Sequence, residues 1–321
     1  MRGADYVVKR VGFAVATVLA AATINFFLFR VLPGSAVTNL AHVPGATAQL
    51  RHLLVVEFGL DRPKWEQFFI YLGQLAHGNL GVSFINQQPV TANLGGDLAN
   101  TIPVVAIATV LSLVVGIVAG LLSACRRGSW LDHISTNVAI VLYAFPTQWI
   151  ALTLLIFFAG ALPTAGMSNP FQLQQPSLWQ SMVDYLRHAI LPILTLVLTL
   201  YGGNVLIVRS ALLDTLGEDY VLTARAKGLS PLRIVRSHAL RNAMLPITTL
   251  VTLSLGYVVA GAILVEVVFS WPGIGTALYN AVLERDYPML QGIFLVLTIS
   301  VVFFNTVADL VYFKLDPRVA R

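Results

Sequence analysis

Residues 102–124, 134–162 and 189–208 contain no Asp, Glu, Lys or Arg. A helix needs about 20 apolar residues to cross a hydrocarbon core of about 30 Å, and each of these stretches is long enough. Three more qualify: 11–32, with Asn25 inside it and Arg30 near its end; 245–266, ending at Glu266; and 292–313, with Asp309 near its inner end. In lipid the backbone must satisfy its own hydrogen bonds, so these stretches are expected to be helices and not open strands. The expected fold is therefore all-α, a polytopic membrane protein with six transmembrane helices. Pro146 should kink the third span, and the fourth contains the pair Gly202 and Gly203. Composition agrees: hydrophobic types make up 57% of the 321 residues, charged residues only 11%, and mean hydropathy is +0.77. A soluble domain carries about 25% charged residues, so soluble enzymes are excluded. Arg2, Lys9 and Arg10 before an apolar run raise the question of a signal peptide. The run Val11–Phe29 is long for one and lacks a clear small-residue cleavage site, so it reads as an uncleaved first span. No short internal repeat is visible.

The basic residues orient the chain. With the N-terminus in the cytoplasm, 14 of the 20 Lys and Arg fall on inside segments, as the positive-inside rule requires. Both termini are then cytoplasmic, at 1–10 and 314–321. Residues 33–101 form an extracytoplasmic loop, in which Ala48–Phe58 and Trp65–Leu75 read as short helices. Residues 102–313 form the core, containing a cytoplasmic loop at 210–244. Both loops exceed the length of a turn, and neither has a disordered composition. A net charge of +5 is accounted for by cytoplasmic loops, so no nucleic-acid partner is expected.

Catalytic signatures are missing. Gly-Lys occurs nowhere, which removes the phosphate loop of ATP-hydrolysing chains, and there is no His-Glu-x-x-His or Gly-x-Ser-x-Gly. His42, His52, His77, His133, His188 and His238 are scattered, without metal-ligand spacing. No metal or cofactor is expected on this chain. Cys125, the single cysteine, lies beside Arg126 and Arg127 and reads as structural. Glu266 and Asp309 should face a bundle interior or an interface. Both sit near span ends, which favours a bond to a helix end or partner span over ion coupling.

The cytoplasmic loop is the most informative segment. Glu218 and Asp219 are placed to start a helix favourably against its dipole. Residues 219 to 227 are mostly good helix formers, Gly228 can stop the helix in a left-handed cap, and Pro231 suits the first turn of a second helix. A basic hairpin on anionic lipid would explain the charge. It would not explain a short, capped helix held between two spans.

The run Asp219-Tyr220, Thr223-Ala224-Arg225-Ala226-Lys227-Gly228-Leu229, His238 to Ala243 and Pro246 resembles the coupling loop of ATP-binding-cassette importer permeases, in the dipeptide, oligopeptide and nickel branch. The broad importer pattern begins Glu-Ala-Ala, with Gly four residues after the second Ala. Here those places hold Leu222, Thr223, Ala224 and Gly228, so a salt bridge from the leading Glu is not carried over. Similar to the same branch are Phe58–Pro63, Gly78–Ser83 (with Asn79 where Asp is usual), Glu266–Gly275, Arg285–Pro288 and Asp309 to Arg318. The resemblance covers nearly the whole chain, and the outer loop and tail favour the first of the two paired permease subunits.

The resemblance implies a type I importer permease in a bacterial cytoplasmic membrane. Its partners would be a second homologous permease, two cytoplasmic ATPases that bind ATP and Mg, and an extracytoplasmic substrate-binding protein. Short peptides would be the solute, with nickel chelates, haem and glutathione-like molecules carried elsewhere in the branch. Residues 218–229 would dock on an ATPase, with Arg225 and Lys227 facing acidic groups. Glu266, Pro272, Gly273 and Asp309 are candidates for gating or the subunit interface. Two rival classes are a proton-coupled transporter working alone, which should show a repeat or midplane acids, and a non-transporting scaffold. Only an importer subunit copurifies with an ATPase and supports ATP-dependent uptake.

Overall fold

The computed structural model describes residues 3–31, 56, 61–170, 176–256 and 262–315. Among these, helices are the only regular elements, beside two isolated β-bridges, Val82 to Pro89 and Ala159 to Leu162. In chain order they are α1 (Gly3–Val31), α2 (Lys64–Ala76), α3 (Val90–Cys125), α4 (Trp130–Ala144), α5 (Thr147–Phe158) and α6 (Leu178–Leu216). Then follow α7 (Asp219–Ala226), α8 (Pro231–Ile234), α9 (Leu240–Gly256), α10 (Ile263–Val268), α11 (Ile274–Leu283) and α12 (Tyr287–Leu315). A π-helical turn, Val235–Ala239, joins α8 to α9.

Among the described residues, four helices are long and apolar enough to cross a membrane: α1 over Asp5–Phe29, α3, α6, and α12 over Tyr287–Leu310. The pair α4 and α5 has the apolar length of a fifth, but it bends by 104°. The expected kink is therefore a break. Pro146 has no N–H to continue the ladder, and it forces Phe145 into extended backbone at φ −76°, ψ 133°. The expected span at 245–266 falls on α9 and α10, with residues 257–261 between them outside the described set. Of the two short outer helices, Trp65–Leu75 corresponds to α2, and Ala48–Phe58 lies outside the described residues except for position 56.

Two helices outrun the hydropathy signal. α3 begins at Val90, within what reads as outer loop. Residues 90–101 include Gly95 and Gly96, poor helix formers, but Val90 and Leu94 are buried in a core that holds the turn in place. α6 extends beyond 189–208 at both ends. Its start is fixed by a capping box, in which Ser177 Oγ accepts from Gln180 N at 3.3 Å and Gln180 Oε1 accepts from Ser177 N at 2.9 Å. Its last two turns make up the beginning of the expected cytoplasmic loop.

The chain forms two compact units. The first comprises residues 1–101 and 272–306, and the second 102–271 and 307–321. The first is built on Phe29, Val90, Leu94, Ile274, Ala281, Met289, Leu290 and Ile293. Phe26 of α1 meets Phe68 and Tyr71 of α2 edge-on or tilted. Asn25, polar within an apolar span, is buried and donates to the Gln291 carbonyl at 2.9 Å, which gives its amide N–H a partner away from water.

The second unit packs α3, α4 and α6 backbone to backbone. A Cβ on Gly202 would collide with the Ala139 carbonyl and Tyr143, and one on Gly120 would lie 2.9 Å from the Val205 carbonyl. Small residues allow such approaches between membrane helices. The opposite signature marks the outward face of α3, where Val110, Val114 and Val118 recur at helical spacing and are all about half exposed. An apolar stripe left uncovered on a packed helix is the surface expected against lipid. Gly202→Ala should lower the thermal midpoint of the detergent-solubilised protein, equivalent to about 1–3 kcal/mol of overpacking. Gly203→Ala, whose Cβ would meet the Tyr143 ring at an ordinary 3.5 Å, should not lower it. Equal loss from both would contradict the close α4–α6 contact.

Candidate functional site

α7 is eight residues long and is bounded at both ends by local chemistry. Glu218 occupies the N-cap position in extended backbone, without a side-chain cap bond, and Asp219 stands in the first turn. Arg225 stands in the last turn, so charge at both ends matches the helix dipole. At the C-terminus, Gly228 has φ +75°. Its N–H donates to the Arg225 carbonyl at 2.9 Å, and the Leu229 N–H donates to the Ala224 carbonyl at 3.3 Å. This pair of bonds is the Schellman arrangement, which requires a left-handed residue that only Gly supplies without steric cost.

The reversal at Gly228 folds the loop on itself. Val221, Ala224 and Ile234 are buried together, with Leu216 and Leu229 packed against them. α7 is thus held against the end of α6 and against α8 by a small apolar core of its own. Asp219, Tyr220, Leu222, Thr223, Arg225, Ala226, Lys227 and Gly228 face outward. Thr223 Oγ1 donates back to the Asp219 carbonyl at 3.1 Å, and Asn242 Nδ2 donates to the Tyr220 hydroxyl at 2.8 Å. Leu222 is 55% exposed and Leu232 77%. The loop therefore presents apolar side chains among basic ones on a rigid, short helix. Arg225 also lines a cleft of about 480 Å³ with Arg126, Arg127 and Cys125. Cys125, read as structural, is exposed at the end of α3.

The gating candidates are divided between the two units. In the first unit, Pro272 and Gly273 line a cleft of about 450 Å³ with Asp97, Asn93, Asn280 and Asp286. The Pro272 carbonyl accepts from Asn100 Nδ2 at 2.7 Å, and Gly273 precedes α11, whose first N–H, on Ile274, donates to Thr101 Oγ1 at 2.9 Å. In the second unit, Glu266 is buried on α10, and its carbonyl accepts from Trp271 N at 2.8 Å. Asp309 is half-buried on α12.

Two segments singled out separately in the sequence meet in the first unit. Asp286 is buried and accepts from the Ser83 hydroxyl, from Phe84 N at 3.2 Å and from Met289 N at 3.3 Å. Asn79 Oδ1 accepts from Gly81 N at 2.9 Å and so closes the turn. The Gly78–Ser83 turn is thereby fastened to the start of α12. Spacing gave no sign of this pairing, since 203 residues separate Ser83 from Asp286.

Residues 116–321 match the family described as binding-protein-dependent transport system inner membrane component. The chain is 34% identical over 333 residues to the dipeptide transport system permease protein DppB of Escherichia coli (strain K12), covering 98% of each chain. It is 35% identical over 331 residues to the di/tripeptide transport system permease protein of Pseudomonas aeruginosa (strain UCBPP-PA14), again over 98% of each. It is 32% identical over 318 residues to the glutathione transport system permease protein GsiC of Escherichia coli (strain K12), over 98% of each. The chain belongs to the inner membrane component family of binding-protein-dependent transport systems, and it is a membrane permease subunit.

Asp286→Ala would strand two buried backbone N–H groups and the Ser83 hydroxyl, at about 1–3 kcal/mol for each unsatisfied group. It should lower the thermal midpoint clearly more than Ser83→Ala, which removes one donor from the carboxylate. A midpoint for Asp286→Ala at or above that of Ser83→Ala would contradict the fastening.

Proposed function

We propose that this permease forms half of the translocation path of an ATP-driven importer of short peptides. In this reading it crosses the cytoplasmic membrane six times, with both termini in the cytoplasm, and pairs with a second homologous permease. A binding protein delivers solute on the outer side, and two ATPases carry ATP and Mg on the inner side. The chain itself holds neither cofactor nor metal. Full-length similarity to permeases named for dipeptides, di/tripeptides and glutathione, itself a short peptide, supports the solute class.

The observation that carries the mechanism is the closed local structure of 216–234. A lever must be stiff, and α7 is fixed by the Gly228 cap and the Val221–Ala224–Ile234 core. It must also offer a surface to its driver, and Tyr220, Leu222, Arg225 and Lys227 are exposed. Closure of the ATPase pair around ATP would move α7, and α7 would move α6, to which it is packed. Such rigid-body shifts are a standard route between inward-open and outward-open states.

Gly228→Pro should abolish uptake of a labelled dipeptide by cells that express the full transporter, with membrane abundance unchanged. Proline cannot reach φ +75°, and the spanning helices do not depend on that joint. Gly228→Ala, which incurs about 1 kcal/mol at this φ, should keep a reduced rate. Normal uptake by Gly228→Pro at normal abundance would remove the lever.

A further inference from the structure

One carboxylate in the second unit accepts five hydrogen bonds. Asp132, in the first turn of α4, is 3% exposed. Arg209 of α6 grips it in a two-pronged ion pair, Nε to Oδ1 at 2.7 Å and Nη2 to Oδ2 at 3.0 Å. Gly128 N, in the turn between α3 and α4, donates to Oδ2 at 2.9 Å. The Ser123 hydroxyl of α3 donates to Oδ1, and Thr136 Oγ1 of α4 donates to the same oxygen at 3.3 Å. One side chain thus ties α3, the turn after it, α4 and α6 at a single point.

The position of that point matters more than its strength. Arg209 lies seven residues before Leu216, where α6 ends and against which α7 packs. At 1.5 Å per residue this is about 10 Å along the helix. Around it and toward the loop, Val208, Ala211 and Leu212 of α6 pack with Ala124 of α3 and with Ala239, Ala243 and Ile247. Beyond it, Asn204 Nδ2 donates to Ser112 Oγ at 3.3 Å, and Gly202 sits against α4. Apolar packing resists separation of helices but still permits small shear between them. A planar guanidinium on a planar carboxylate fixes both distance and angle. A largely buried ion pair, here with Asp132 buried and Arg209 partly exposed, is also weak evidence of a purely stabilising role, because apolar residues of like volume serve stability as well or better.

We propose that Asp132 and Arg209 are positioning residues for coupling: they form the joint that carries displacement of α6, driven through α7, into α3 and α4. This rests on the lever reading of α7. Displacement of α6 then moves three helices as one body, and without the joint part of the stroke is lost as slip at the end of α6. The two side chains touch neither solute nor ATP in this scheme.

The test uses the complete transporter, with its partner permease, ATPases and binding protein, in proteoliposomes. Dipeptide imported and ATP hydrolysed are both measured per assembled complex. The double replacement Asp132→Leu with Arg209→Met removes both charges without leaving either one buried alone. The proposal expects the ratio of solute to ATP to fall about fivefold or more, a coupling loss at the modest end for communicating sites, while ATP turnover persists. Arg209→Lys keeps the charge but loses the two-pronged geometry, and should give an intermediate ratio; it decides the matter if the double variant does not assemble. A wild-type ratio in whichever variant assembles, even at lower abundance, overturns the joint. Gly228→Pro, run alongside, separates the two ideas. If it transports normally the lever itself fails, and if it does not, a wild-type ratio in the Asp132 and Arg209 variants refutes the joint alone.

Discussion

Hydrocarbon offers the backbone no hydrogen-bond partner, and most of this molecule follows from that. Long apolar stretches must close their own ladders, so α1, α3, α6 and α12 are long helices. Their outward residues stay apolar because lipid, not protein, covers them. The same rule disciplines the exceptions. Asn25 reaches the Gln291 carbonyl, and Asp132 gathers Arg209, Ser123, Gly128 and Thr136 around itself. Pro146 breaks the apolar stretch between α4 and α5 outright because a missing N–H and a ring cannot be accommodated in the ladder.

The loop between α6 and α9 obeys a different logic. It stands beyond the apolar stretches, so helices there must be short and individually capped. α7 gains its definition from the Gly228 cap and from a core of three buried residues, not from length. An eight-residue helix is marginal alone, and its docking against Leu216 and α8 is what lets it act as a solid part. Its Tyr220 and Leu222 stay exposed.

How much of this was legible in the sequence depended on range. Local signals read correctly: the start of α7 at Asp219, its stop at Gly228, the helix start at Pro231 and α2 near Trp65 to Leu75 all rest on contacts within a few residues. Hydropathy placed the apolar stretches but not the helix ends, because a membrane helix continues into water for as long as other contacts hold it. Hence α3 starts at Val90, and α6 runs on to Leu216. Long-range pairings were invisible. Ser83 with Asp286 and Asp132 with Arg209 join ordinary polar residues far apart in the chain, and neither spacing nor residue type marks them. Of the gating candidates, Pro272 and Gly273 line a cleft of the first unit, and Glu266 and Asp309 belong to the second unit.

The central claim is that α7 is the part of this permease that an ATPase grips. A photoreactive amino acid in place of Leu222, exposed in the middle of α7, tests it directly in the assembled transporter. Irradiation should yield a covalent adduct between this chain and the ATPase subunit, with a yield that changes when a non-hydrolysable ATP analogue is bound. An intact complex in which position 222 never reaches the ATPase, and reacts only with lipid or the partner permease, would contradict the account.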